Sequence, residues 1–235
     1  MKKISVEIWS DIVCPFCYIG KRRLENALAK FPHRDAIDIH WRSFELDAAA
    51  NPQPGESLYK HLAAKYGNTE AWARQMAANM AASAAEEGLA FDFDRAVLAN
   101  TFRAHRLVHL AAQHGQQDAA KERLFKAYLE EGRDINDVPT LQELAAELQL
   151  PADAVTQVLT SEAFAQEVRH DEYQARQIGV RGVPYFVFDD KYAVSGAQPT
   201  ELFEEVLAKV WEEARPRPVE LAGTAGAACD LDGNC

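Results

Sequence analysis

Cys14-Pro15-Phe16-Cys17 sets two sulfurs at the spacing of a dithiol that can close into a disulfide and reopen. The preceding Ile4-Ser5-Val6-Glu7-Ile8 alternates apolar and polar residues with the period of a β-strand. The following stretch from Tyr18 to Leu28 reads as a helix. Cys14 therefore stands where a strand turns into a helix, and Pro15 falls at the first helical position, where its missing N–H costs nothing. A sulfur at that place faces unsatisfied backbone N–H groups and the positive end of the helix dipole, and both favour thiolate over thiol. A dipole effect of about 1–2 kcal/mol corresponds to roughly one pKa unit, which brings a thiol of about 8.5 toward neutrality. Thiol–disulfide exchange needs that activation. Two blander readings compete. A four-thiolate zinc site needs a second pair, and the other cysteines, Cys229 and Cys235, lie in a Gly-rich C-terminal stretch. Two inert core thiols would have no need of a strand–turn–helix setting.

The elements around this turn divide the chain. Ala36 to Phe44 alternates again and forms a second expected strand, and Asn51-Pro52-Gln53-Pro54-Gly55 breaks regular structure. From about residue 56 to 178 the pattern predicts helix throughout. Trp72, Met76 and Met80 recur at helical spacing, as do Val97, Thr101, Ala104, Val108 and Ala111, and then Leu141, Leu144, Ala145 and Leu148. These stripes are most simply helix–helix packing. Thr140-Leu141-Gln142-Glu143 has the form of a capping box, and Pro151 suits the first turn of the next helix. Strand signals return at Val183 to Phe188, followed by an Asp189-Asp190 turn and Tyr192 to Ser195. A last amphipathic helix carries Leu202, Phe203, Val206, Leu207, Val210 and Trp211. Neither end has enough strands for a sheet alone, so the two must share one. The expected organisation is an α/β domain from residues 1–55 and 179–214, an all-helical insertion over 56–178, and a mobile tail over 215–235.

Composition narrows the function classes. The chain has 235 residues, 48% of them hydrophobic and 26% charged, with a formal net charge of −11. That charge argues against nucleic acid or an anionic membrane as partner. Met1-Lys2-Lys3 resembles the basic start of a secretory signal, but Glu7 and Asp11 interrupt what would be its apolar region. No stretch reaches the apolar length of a membrane span. The expectation is a cytoplasmic protein, where a C-x-x-C is catalytic more often than structural.

The redox turn, the β-α-β start, the helical insertion and a Val-Pro before a late hairpin together resemble the DsbA family of the thioredoxin superfamily, and within it the cytoplasmic FrnE-like branch. The segments that carry the resemblance run from Asp11 through Lys21, Trp41 through Leu46, Asn100 through Arg106, Glu131 through Ile135, Gly179 through Phe186 and Ser195 through Pro199. Phe16 stands where many relatives have Trp, a change of aromatic size and not of chemistry. The resemblance implies a thioredoxin-like fold and a dithiol–disulfide oxidoreductase acting on protein thiols and disulfides, served by a cytosolic thiol reductant and needing no cofactor beyond its own cysteines.

Cys14 is then the expected nucleophile and the exposed sulfur. Cys17, one turn further in and more buried, would resolve the mixed disulfide. Phe16 supplies no positive charge between them, which suits a reductase or isomerase better than a strong oxidant. The resemblance also implies that Val183-Pro184 is a cis peptide beside the sulfurs and that the Val183 backbone pairs with an extended substrate. Asp11 is expected to bond the turn. His105, on a stripe with Leu98 and Phe102, reads first as a hydrogen-bonded interface histidine. With Asn100 and Arg106 it could also line the cleft between the insertion and the redox turn. A C-x5-C tail occurs in some FrnE-like relatives, which marks Cys229 and Cys235 as a candidate auxiliary dithiol. Kappa-class glutathione transferases and 2-hydroxychromene-2-carboxylate isomerases share the architecture and are the enzymatic rival, although they typically carry serine where Cys14 stands. A redox-regulated holdase or metal-buffering protein is the rival from another class.

Overall fold

The computed structural model describes residues 3–52 and 55–214. Strand β1 (Ile4–Ser10) leads through the redox turn into helix α1 (Pro15–Lys30), and β2 (Ile37–Ser43) follows. The chain returns to the sheet only with β3 (Tyr185–Phe188) and β4 (Tyr192–Ser195), and α9 (Thr200–Ala214) completes the fold. The sheet order is β2-β1-β3-β4, so strands from both ends of the chain do share one sheet. β1 runs parallel to β2, with Ile8 opposite Trp41, and antiparallel to β3, with Ile8 opposite Phe186. Asp189 and Asp190 turn β3 into β4 with φ of 47° and 57°, and Lys191 N–H donates to the Phe188 carbonyl at 3.0 Å. That left-handed pair matches the twist of a hairpin, and Asp tolerates it better than most residues.

Between β2 and β3 come α2 (Leu58–Lys65), α3 (Glu70–Glu86), α4 (Phe102–Gln113), α5 (Gln117–Leu129), α6 (Val138–Glu147), α7 (Ala152–Thr160) and α8 (Ala165–Gln177). One sheet face packs against α1 and α9 through Ile4, Val6, Ile8, Phe186, Phe188, Phe203 and Leu207. The other meets α8, where Trp9 packs with Ala175 and Val180 and donates its indole N–H to the Asp171 carbonyl at 2.9 Å. The β2 edge is closed by a side chain. Gln117, at the start of α5, accepts from Trp41 N–H at 3.0 Å and donates to its carbonyl at 2.9 Å, as a neighbouring strand would.

The helical stretch differs from the sequence expectation in three places. Residues 87–101 are not helical: α3 ends before Gly88, at φ +76°, and Asp92 N–H then donates to the Leu129 carbonyl. Val97 therefore belongs to no helical stripe and is 38% exposed. Second, α6 begins three residues before the expected capping box. Asp137 caps it by accepting from Thr140 N–H at 2.9 Å, and Thr140 lies inside the helix. Pro151 is the cap residue of α7 and not part of its first turn. Among the described residues, no helix is long and apolar enough to cross a membrane.

Candidate active site

Cys14 is the N-cap of α1 and Pro15 its first residue. The turn is pinned by Cys14 N–H donating to the Asp11 carbonyl at 3.1 Å and Cys17 N–H to the Cys14 carbonyl at 3.0 Å. Both sulfurs are free thiols. Cys14 is not the exposed sulfur that sequence reasoning expects: its residue is 5% exposed, against 0% for Cys17. The Val183 carbonyl lies against it, and Phe16, 47% exposed, is the most exposed residue of the turn. Burial and the adjacent Cys14 push the Cys17 thiol well above its ordinary range. The two sulfurs thus differ in setting, one at a helix terminus and one sealed behind it.

Val183-Pro184 is a cis peptide, and the Val183 carbonyl accepts from Cys14 Sγ at 3.6 Å. The loop comes this close because α1 carries Gly20 where it passes. A Cβ there would meet Pro184 Cγ at 3.0 Å and Phe186 Cζ at 3.1 Å.

Cys14, Pro15, Phe16 and Val183 line one wall of a cavity of about 510 Å³. Leu62 on α2, Met76 and Met80 on α3, and Phe93 in the segment between α3 and α4 supply an apolar wall. Met76 and Met80, on a stripe read as helix packing, thus face the redox turn.

Behind the turn lies a buried polar cluster. Asp11 accepts from Leu46 N–H at 2.7 Å and from His105 Nε2 at 3.3 Å. Burial alone would raise the Asp11 carboxyl, but these bonds and one from Thr101 hold it below the usual carboxylate range. Burial, helped by the charge of Lys121, pushes His105 down, so a neutral imidazole donates to an ionised Asp11. His105 is the interface histidine of the first reading and does not line the cavity. Asn100 and Arg106 do not either. Both open to a neighbouring pocket of about 470 Å³ with Ala50, Asn136 and Ser161. Asn100 donates to the Ala50 carbonyl and accepts from Phe102 N–H. Arg106 is buried, and its guanidinium donates to the carbonyls of Val158, Ser161 and Ala163, closing the end of α7. Cys229 and Cys235 lie outside the described residues.

Sequence reasoning missed Lys121 on α5, 1% exposed. Its Nζ sits 4.9 Å from the Phe125 ring centroid and 5.3 Å from that of Trp41, and burial pushes its pKa down to about 8. A signal was present: Leu124, Phe125 and Tyr128 stand three, four and seven residues on, which puts Lys121 on the apolar stripe of its helix. Likewise His109, read in no constellation, pairs with the buried Asp171 at 3.1 Å.

The DSBA-like thioredoxin domain model matches residues 5–208. The crystal structure of a probable DsbA oxidoreductase from Streptomyces coelicolor is 42% identical, with a TM-score of 0.85 over 99% of this chain and 98% of that one. A 2-hydroxychromene-2-carboxylate isomerase shares the fold at 16% identity and a TM-score of 0.67, over 89% of this chain and 97% of its own. So does the cytosolic disulfide reductase DsbM from Pseudomonas aeruginosa with GSH, at 20% identity and 0.63, over 88% and 99%.

Proposed function

Since the chain belongs to the DSBA-like thioredoxin domain family and is a thiol–disulfide oxidoreductase of that kind, we propose that Cys14 and Cys17 exchange disulfides with cytoplasmic protein substrates. The observation that carries this reading is the asymmetry of the two sulfurs. Cys14 stands at the N-terminus of α1 beside the Val183 carbonyl and an apolar cavity, while Cys17 is sealed behind it as a thiol. In the reducing direction the Cys14 thiolate attacks one sulfur of a substrate disulfide. A Cys14–substrate bond forms, and the other substrate sulfur leaves as a thiolate that takes a proton from water. Cys17 then attacks Cys14 Sγ, the Cys14–Cys17 disulfide forms, and the first substrate sulfur departs carrying the proton Cys17 gives up. The substrate gains two electrons and the dithiol loses them. An extended substrate strand beside Val183 and an apolar side chain in the cavity would place the scissile sulfur. The uncharged Phe16 supports a reductase or isomerase direction over a strong oxidant, and a thiol reductant would recharge the pair.

Insulin reduction followed by turbidity tests this. Cys14→Ser should abolish activity with the fold intact, and Cys17→Ser should accumulate a mixed disulfide visible by intact mass. Activity retained by Cys14→Ser would move the chemistry elsewhere. A second reading, exchange with glutathione itself, is favoured by the 510 Å³ cavity at Cys14 and by the structural neighbour described with GSH. A Cys17→Ser adduct of glutathione mass, formed with oxidised glutathione in preference to oxidised insulin, would select it.

A further inference from the structure

The dithiol mechanism leaves one difficulty that the active-site turn does not solve. Cys17 must carry negative charge while it attacks Cys14, yet it is fully buried, and both burial and its neighbour Cys14 oppose that charge. A buried group of this kind stays neutral unless a cation is placed beside it.

Lys121 is such a cation. It is itself 1% exposed, and it makes no ion pair within 4 Å with a carboxylate among the described residues. Its ammonium is held by the faces of Phe125 and Trp41 instead. The position is set by packing: Tyr18, next in sequence to Cys17, stacks on Phe125 at 5.1 Å, and Phe125 lies one turn beyond Lys121 on α5. α5 thereby packs against the start of α1 through the Phe125 ring, which meets Tyr18 on α1 and the Lys121 ammonium on its own helix, and the ammonium interacts electrostatically with both sulfurs. The charged and titratable groups facing Lys121 are Cys17 and Cys14 on α1, Asp11 in the turn, Asp171 on α8 and His105 on α4. Among those that favour its charge Cys17 comes first, and the interaction is reciprocal, because Lys121 lowers Cys17. Asp11 is committed to Leu46, Thr101 and His105, and Asp171 to Ser43 N–H, His109 and Arg42. The buried thiol is thus the partner that the other contacts leave for the ammonium.

We propose that Lys121 is the positioning residue of the resolution step, supporting the transient Cys17 thiolate with its ammonium from the helical layer. It rests on the assignment of Cys17 as the resolving thiol. The proton of Cys17 ends on the departing sulfur, the Cys14–substrate bond breaks, the Cys14–Cys17 bond forms, and Lys121 keeps its own proton. A lysine buried only for packing would leave the chemistry untouched when replaced by methionine, which has nearly its shape without its charge.

The test uses the aromatic disulfide 5,5′-dithiobis(2-nitrobenzoate), whose thiolate is coloured, on full-length chain carrying Cys229→Ser and Cys235→Ser so that the active-site pair alone reports. The first equivalent released reads attack by Cys14, and the second reads resolution by Cys17. Lys121→Met is expected to slow the second release at pH 7 by about tenfold or more, the equivalent of one pKa unit. It should also move the pH midpoint of that phase upward, slow the first release much less, and leave the melting temperature equal or higher, since an unpaired buried charge is removed. A second phase with wild-type rate and pH profile overturns the inference. So does a variant in which both phases slow alike and the melting temperature falls, the signature of a packing role. Should the methionine variant fail to fold, Lys121→Gln is read by the same criteria. A protein with Lys121 intact that releases one equivalent and never a second removes Cys17 as resolving thiol. That outcome defeats the underlying assignment and is distinct from a Lys121→Met effect.

Discussion

Gly20→Ala puts the approach of the Val183 loop to α1 to a test whose sign is informative. In the middle of a helix, replacing glycine by alanine stabilises by about 1 kcal/mol when nothing stands in the way. Here the new methyl would lie 3.0 Å from Pro184 Cγ and 3.1 Å from Phe186 Cζ, with Ala197 Cα at 3.6 Å. Carbon atoms prefer about 3.5–4.0 Å, so two neighbours must give by about half an ångström. Phe186 is fully buried, its ring 4.8 Å from that of Phe203, and has little room to move. Overpacking of this kind costs about 1–3 kcal/mol, which exceeds the helical gain and leaves a net loss of about 1 kcal/mol. For a chain of this size that lowers the melting temperature by about 2–4 °C. Pro184, also buried, takes the closer contact, and any shift of its ring moves the Val183 carbonyl from Cys14, so insulin reduction should fall further than the stability loss would suggest. Scanning calorimetry beside the turbidity assay reads both. A variant that melts higher than wild type and keeps full activity would show that the glycine is incidental and that the loop does not depend on this contact.

Arg106→Leu should lower stability by about 2–4 kcal/mol by denaturant titration, because three carbonyls around the end of α7 lose their charged donor. The folded fraction should keep its rate constant, and a selective loss of rate would return Arg106 to the substrate cleft. Burial raises Glu45 from 4.5 to about 7, and Glu172 adds to this against the pull of Arg169. The folded state therefore binds more protons than the unfolded state between those values. Its contribution to stability is full below about pH 4.5 and is lost as pH rises through 7. Glu45→Gln, which resembles the protonated form, should raise the melting temperature more at pH 8 than at pH 5, and an equal shift at both would deny the titration. Cys229→Ser with Cys235→Ser should lower insulin turnover without changing the melting temperature of the reduced protein. Unchanged kinetics would assign those cysteines no part in the exchange.

The parts that the sequence by itself determined are those written in local signals. The C-P-F-C turn between an alternating strand and a helix, the Asp189-Asp190 hairpin and the shared sheet follow from side-chain period and turn chemistry, and the structure keeps each of them. Helical spacing also identified most of the helical layer, but it could not say which side of a helix meets what. Met76 and Met80 were legible as a stripe, and only the packing of α3 turns them toward the redox turn. The same limit explains the segment 87–101, whose backbone finds partners at the end of α5 rather than in a helix of its own. The polar groups around the sulfurs were the least legible. Asp11 and His105 are 94 positions apart, Lys121 more than a hundred from Cys17, and Arg106 bonds carbonyls of another helix. His105 was legible as an interface histidine but its partner was not, and a lone Lys in a helix reads as solvated because burying its charged head is costly. Only the tertiary structure supplies the partners, the ring faces, carboxylate, carbonyls and thiol, that make such burial affordable and so decide where the chemistry is supported.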